Sequence, residues 1–491
     1  MPDDFEVLIT AEEAWPAFER AVLNAKSEIV AGFRIFDLRT KLRSPEARAI
    51  GDDWFDLLAH VVGKGVSFTL TVSDFDPVVG TELHQLSWTT VRQGHALTEM
   101  LGSEAGRVTI TADMHPAKAG FVPWLAFLPK VIQRRNSAWL ELSRDERDRE
   151  AVLLKKSDMP TMHTVTHHQK LAVIDNEILY IGGLDLNERR WDTKDHAREA
   201  PDTWSDVQVI MRGPEAAQAR DHLLTFVDAC AGRKEPSHGP DIKRTLSTPR
   251  RLQFPYLSPM SRLTEIEEAH LKAFREARHL IYIETQFFRS SPITEHMAEA
   301  AAKSSDLTAI VVLPALPEHL AFEGKDDLDV GFGMARQKEA IETVTQAFGD
   351  RITLATPVRP VFSTKDTVRS LCGSPIIHVH NKVLVKDDDY ALIGSANLNG
   401  RSLRWDTEVA IDTTNPARVA HARERLLHHW WFDPLPKDGF APSTAQAWWH
   451  TEIARNGVKR PENRSGFLVP HAPENRVDVA QDLPGVTENM V

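Results

Sequence analysis

The feature that most restricts the fold is a piece of chemistry repeated at a fixed distance. Residues 166 to 183 read THHQKLAVIDNEILYIGG and residues 379 to 395 read VHNKVLVKDDDYALIGS. Each holds His-x-Lys, four residues, Asp, and then a Gly-Gly or Gly-Ser pair. His168 and His380, Lys170 and Lys382, Asp175 and Asp387, and Gly182 and Gly394 all stand 212 residues apart. Two copies in one register imply a chain built from two related halves. The spacing also dictates local form, because positions i and i+2 of a strand share a face. Each imidazole should project beside its ammonium group, with Leu171 and Val173, or Val383 and Val385, turned to the core. Asp175-Asn176 and Asp387-Asp388-Asp389 are turn residues that join each strand to the next, so each motif is predicted to be a hairpin.

The surroundings of both copies follow a βαβ grammar. Residues 14 to 26 carry helical spacing and lead into a strand over 28 to 36; residues 263 to 278 form an amphipathic helix leading into a strand over 279 to 288. A second helix and strand follow each pair, at 54 to 63 and 66 to 72, and at 296 to 303 and 307 to 313. Residues 230 to 251, rich in Pro, Gly, Ser and basic residues, read as a linker with the boundary near 240. The expected organisation is α/β: a first half over 1–240 with its motif at 162–189, a second over 241–435 with its motif at 374–401, and an irregular tail over 436–491. The halves should pack with pseudo-twofold symmetry.

Such a pairing would bring two imidazoles and two ammonium groups to one point, which suits a phosphate. One imidazole can attack phosphorus while the other protonates the leaving oxygen. Lys170 and Lys382 would supply the charge stabilisation otherwise given by a metal, so neither a metal nor another cofactor is expected. Composition narrows the substrate. With 58 basic and 70 acidic side chains the net charge is −12, against a nucleic-acid coat. Cys230 and Cys372 support neither a disulfide framework nor a cysteine-rich zinc site. The start, Met1-Pro-Asp-Asp-Phe-Glu, lacks the basic and apolar regions of a secretory signal, and no run approaches the ~20 apolar residues of a membrane span. A cytoplasmic or membrane-peripheral protein is expected, with export by a signal-independent route left open. The duplication supplies both half-sites, so a monomer would suffice.

These residues carry a family resemblance. The chain resembles the phospholipase D superfamily, and more narrowly the eukaryotic-type phospholipases D, through HHQKLAVID at 167–175, GGLDLNERRWDT at 182–193, WSDVQVIMRGP at 204–214, IYIETQFF at 281–288 and GSANLNGRSLRWDTE at 394–408. The resemblance implies one active site at the interface of two halves. His168 would be the nucleophile and His380 the acid and then base, with the order of the two left open. Lys170, Lys382 and Asn397 would hold phosphate oxygens, while Asp206 and Glu408 would orient the imidazoles. Asp175 and Asp387 complete the motif set, more as pins of the hairpin turn than as chemical participants. Asp185 stands where the second half has Asn397, and the resemblance leaves its contact with phosphate or head group undecided. The C2, PX or PH modules of the larger relatives are not expected here. The implied reaction is hydrolysis of the distal phosphodiester of glycerophospholipids, phosphatidylcholine first, through a phosphohistidine and with transfer to alcohols. A cardiolipin synthase-type transferase is the nearest alternative, a nucleic-acid phosphodiesterase a further one, and a degenerate lipid binder the non-enzymatic one.

Other signals are weaker. Residues 120 to 132 (GFVPWLAFLPKVI) are apolar, punctuated by Pro123 and Pro129 and followed by Arg134 and Arg135. They read either as an interfacial element with Trp124 and Phe127 in lipid or as a buried connection. His163, His167 and His378 flank the motif histidines, but a metal cluster is set aside. Trp430-Trp431 and Trp448-Trp449 read as packing or as a wall for choline, and Asp326 to Asp329 as a solvated loop or a gate.

Overall fold

A computed structural model of the chain describes residues 4–150, 159–250, 259–316, 328–364 and 368–472. The first half forms a seven-stranded sheet from β1 (Phe5–Ile9), β2 (Glu28–Phe33), β3 (Ser67–Ser73), β4 (Val108–Asp113), β5 (Leu171–Ile174), β6 (Ile178–Gly182) and β7 (Val207–Arg212), in the order β1-β7-β6-β5-β2-β3-β4. The second half contributes β8 (Lys243–Thr248), β9 (Met260–Thr264), β10 (Leu280–Thr285), β11 (Thr308–Val312) and β12 (Ile352–Pro357). A short ribbon of β13 (Ser370–Leu371) and β14 (Ser374–Pro375) follows, then β15 (Lys382–Lys386), β16 (Tyr390–Gly394), β17 (Glu408–Thr413) and β18 (Leu468–Pro470). The nine-stranded order is β18-β12-β11-β10-β15-β16-β17-β8-β9. In each sheet three parallel strands, β2-β3-β4 or β10-β11-β12, meet the antiparallel motif hairpin, β5-β6 or β15-β16. This is the two-half α/β architecture that the duplication predicts.

The valine-rich and isoleucine-rich inner faces explain why the halves stay together. Val173, Ile181 and Val209 of the first sheet share one buried cluster with Val385, Ile393 and Val409 of the second. The Leu171 and Val383 side chains join the same cluster. Burying a side chain of this size stabilises the fold by about 1.5–3 kcal/mol, so separating the sheets would expose a continuous apolar surface.

The motif aspartates occupy the far end of each hairpin. Asp175 and Asp387 adopt φ of 53° and 49°, a left-handed turn conformation that aspartate tolerates. The Asp175 carboxylate accepts the backbone N–H groups of Lys26, Ser27 and Glu28; Asp387 accepts those of Arg278, His279 and Leu280. Each thus ties the start of a parallel strand to the hairpin beside it. Burial pushes the Asp175 carboxyl upward, yet the donors from Ser27 and Lys26 prevail and leave it below the usual carboxylate value. Their membership of the catalytic set is corrected accordingly, since their oxygens are occupied by backbone.

One local expectation is also corrected, and one segment gains its form. Residues 120 to 132, read as an interfacial element or a buried connection, lie largely in one helix, Phe121–Glu141. Pro123 falls in the first turn, where no N–H bond is lost, and Pro129 faces solvent, where water can satisfy the carbonyl it frees. Residues 436–472 are not an irregular tail. They include the helix Ala445–Val458, which buries Trp449 and Ile453, and β18, which extends the second sheet beside β12. Residues 473–491 lie outside the described set, as do Asp326 and Asp327 of the acidic run. Among the described residues no helix is long and apolar enough to cross a membrane.

Candidate active site

The histidines enter the site just ahead of their strands. His168 precedes β5 and His380 precedes β15, so the single strand drawn from imidazole to ammonium begins later than expected. The backbone is instead held by the opposite half: the His168 N–H donates to the Thr407 carbonyl at 2.9 Å and the His380 N–H to the Ser205 carbonyl at 2.8 Å. Thr407 N–H returns to Thr166 O, and Ser205 N–H to His378 O. Each histidine segment is therefore zipped to the segment that delivers a carboxylate at the next position, Glu408 or Asp206.

The result is a crossed pairing. His380 Nδ1 lies 2.6 Å from Asp206 Oδ2, and His168 Nδ1 lies 2.9 Å from Glu408 Oε1, close in distance though off the line of an ideal hydrogen bond. Nδ1 of each ring is committed to the other half, which leaves Nε2 to face a substrate. Asp206 is also held by the Val207 N–H at 3.0 Å and, more loosely, by Trp204 Nε1. Glu408 accepts the Ser395 hydroxyl at 2.5 Å. The Trp204 ring lies 4.7 Å from the His380 ring, and the Arg190 guanidinium sits 3.6 Å from the centre of the Trp204 ring.

Lys170 and Lys382 are buried beside the rings. Their ammonium groups donate to the carbonyls of His168 and His380, respectively. Lys170 Nζ lies 3.8 Å from Asp185 Oδ2, while Asp185 Oδ1 accepts the Ile35 N–H. Asp185 thus balances Lys170 and ties in the residue after Arg34. Asn397, its counterpart, keeps Oδ1 without a hydrogen-bond partner although it is buried.

Electrostatics follow from burial. Exclusion of water drives both imidazoles well below their ordinary pKa, and the neighbouring lysines add to this. Burial raises Asp206 to about 7 against the pull of Lys382, and Glu408 to about 8 against that of Lys170. Lys382 falls to about 7, again chiefly through burial. A neutral imidazole is what a nucleophile requires, and an arriving anion would restore charge to the lysines and to the second imidazole.

Sequence reasoning missed several supporting groups. Ser395 stands opposite Gly183, and the difference matches the lengths of their carboxylate neighbours. A Cβ at Gly183 would lie 2.1 Å from Asp206 Oδ1. Gly183→Ala should therefore displace Asp206 from His380 and lower kcat by roughly 10²-fold. Wild-type turnover in a variant with an unchanged melting curve would refute this positioning. The Gly-Gly against Gly-Ser difference was the available signal, but no spacing rule links it to Asp206. Arg34, outside every quoted stretch, and Arg401, inside the 394–408 stretch but not singled out there, also bear on His168 through their charge. Of the flanking histidines, His167 bonds Asp113 at 2.9 Å and Thr407 at 2.8 Å, and this carboxylate raises it to about 9 despite burial. Trp430 and Trp449 are core residues; Trp430 Nε1 donates to Glu284.

Comparison with known proteins adds similarity in sequence and in fold. The family model "Cardiolipin synthase, PLD-like domain" matches residues 271–430. Phospholipase D2 of Bos taurus is 23% identical over 354 residues, covering 50% of this chain and 37% of the relative. Phospholipase D beta 1 of Arabidopsis thaliana is 23% identical over 399 residues, covering 54% and 36%. The matches thus span little more than a third of these relatives' lengths. In fold, the chain is similar to the crystal structure of the phosphatidylserine synthase of Haemophilus influenzae Rd KW20, with a TM-score of 0.53, 12% identity and coverage of 93% of this chain and 94% of that one. By these matches the chain is similar to the phospholipase D superfamily, through the family model over its second half and through relatives named phospholipase D.

Proposed function

We propose that the protein is a phosphodiesterase of glycerophospholipids that works through a phosphohistidine. The crossed pairing of two imidazoles with two carboxylates, flanked by two buried lysines, carries this reading. His168 Nε2 attacks phosphorus and the bond from phosphorus to the head-group oxygen breaks. His380, protonated and backed by Asp206, gives its proton to that oxygen. Water then attacks the phosphohistidine, His380 takes its proton, and the P–N bond breaks to give phosphatidic acid and free His168. An alcohol in place of water gives a new phosphodiester. Lys170, Lys382 and Asn397 hold the phosphate oxygens throughout.

Acid quenching with labelled phosphatidylcholine, followed by mass spectrometry, tests this proposal. The label is expected on His168; label on neither His168 nor His380 sinks the mechanism. The matching family model's name favours a second reading, transfer to a phosphatidylglycerol acceptor. Cardiolipin formed from phosphatidylglycerol faster than phosphatidic acid would select it.

A further inference from the structure

The duplication is uneven in one place, and the excess lies next to the site. By strand register Val108 of β4 corresponds to Ile352 of β12, an offset of 244 against 212 at the motifs. The connection from β4 to His168 is therefore 32 residues longer than its counterpart from β12 to His380. That excess includes the helix Phe121–Glu141.

Among the described residues the helix is anchored on one side and unpartnered on the other. Trp124 Nε1 donates to the Pro160 carbonyl at 2.8 Å, and Phe127 packs with Val78, Val131 and Leu142. These two rings point inward, so of the two readings of this stretch the buried connection holds for them and entry into lipid does not. The outward positions at the N-terminal end are Phe121, Val122 and Leu125, which are 52%, 47% and 54% exposed. Lys118, just before the helix, and Lys130 and Arg134, further along it, are exposed and have no carboxylate partner among the described residues. Between residues 114 and 141 the only acidic residue is Glu141, in a chain whose net charge is −12. Both ends of the connection abut the site: the His115 ring lies 5.2 Å from that of His167, and Ala117 and Val165 pack on Trp405.

We propose that this helix docks the protein on an anionic phospholipid bilayer. Phe121, Val122 and Leu125 would enter the acyl boundary, with Lys118, Lys130 and Arg134 at the head groups. The corresponding, shorter connection after β12 exposes Val361 and Phe362, at 40% and 64%, and adds a second apolar contact. The partner is deduced from the apolar tip backed by unpaired cations, which matches a surface of anionic head groups over hydrocarbon. The inference rests on the proposed lipid chemistry only for its turnover readout.

The test uses the full chain. Flotation on phosphatidylcholine vesicles, with and without phosphatidylglycerol, is compared for His168→Ala, which leaves the vesicles intact, and for His168→Ala combined with Phe121→Ser, Val122→Ser and Leu125→Ser. The triple change should weaken binding by roughly tenfold or more. Lys130→Glu with Arg134→Glu should remove the preference for phosphatidylglycerol and its salt sensitivity without touching the apolar packing. With His168 intact, the triple variant should lose turnover on vesicles and keep it on monomeric short-chain phosphatidylcholine. Unchanged vesicle binding by both sets of variants overturns the proposal, as does wild-type protein that ignores vesicles, a result expected of a surface made for a protein. Equal loss on monomers and vesicles, with unchanged melting, also overturns it, because the helix would then serve the site. If wild-type protein turns over neither substrate while the binding contrast persists, the docking surface stands and the proposed reaction falls.

Discussion

His168→Ala and His380→Ala should each lower phospholipid turnover by roughly 10⁴-fold or more, but with different residual chemistry. A substrate whose leaving group needs no proton, such as a p-nitrophenyl phosphodiester, separates them. His380→Ala should still release one burst equivalent of nitrophenol as His168 becomes phosphorylated, and then stall, because no base activates water. His168→Ala should show no burst. The opposite pattern would exchange the two roles, which is chemically consistent with the near-symmetry of the site. A burst in both would mean that neither imidazole is the nucleophile. Burial of the two side chains, at 11% and 7% exposure, makes a solvent hydroxide substituting for either a poor explanation of residual turnover.

Asp206→Asn is expected to have the next largest effect, a fall in kcat of roughly 10²–10⁴-fold, because it leaves the fold's hydrogen-bond count nearly intact while removing the anion behind His380. The carboxylate stands 2.6 Å from His380 Nδ1 and favours the imidazolium. Without it the imidazole loses its proton at lower pH. The acid form is the one that protonates the leaving oxygen, so the alkaline limb of the kcat/KM profile should move downward. The nitrophenyl burst should be nearly spared, since it does not use that proton. An unmoved alkaline limb would show that Asp206 serves only to hold structure.

Much of this arrangement was legible in the chain because its signals are periodic or repeated. The fixed offset identified two halves, and the alternation at Leu171 and Val173 marked the buried face of the hairpin. The helix Trp54–Gly63 was readable to the residue because Asp53 caps it and a run of Leu and Val defines its face. What could not be read depends on contacts distant in sequence. Nothing near His168 says that its partner is Glu408 and not Asp206; that follows from Thr407 pairing with the His168 backbone across the interface. The 436–472 segment misled through its Pro, Gly and Asn content, since its order comes from Asn456 bonding the carbonyls of Gly466 and Leu468. The helix Phe121–Glu141 was not readable as a helix over its prolines, whose cost depends on their position in the helix and not on their presence.

The crossed pairing also has a consequence for descent. A single ancestral half meeting a copy of itself would already place two identical imidazoles together, each backed by the other copy's carboxylate. Fusion of two such units removes the obligation to be identical. Gly183 beside Asp206 against Ser395 beside Glu408, and Asp185 against Asn397, are then differences that a homodimer cannot hold. Under the proposed mechanism each would let one histidine specialise in attack and the other in proton transfer, a division of labour that a symmetric pair would have to perform with the same residue.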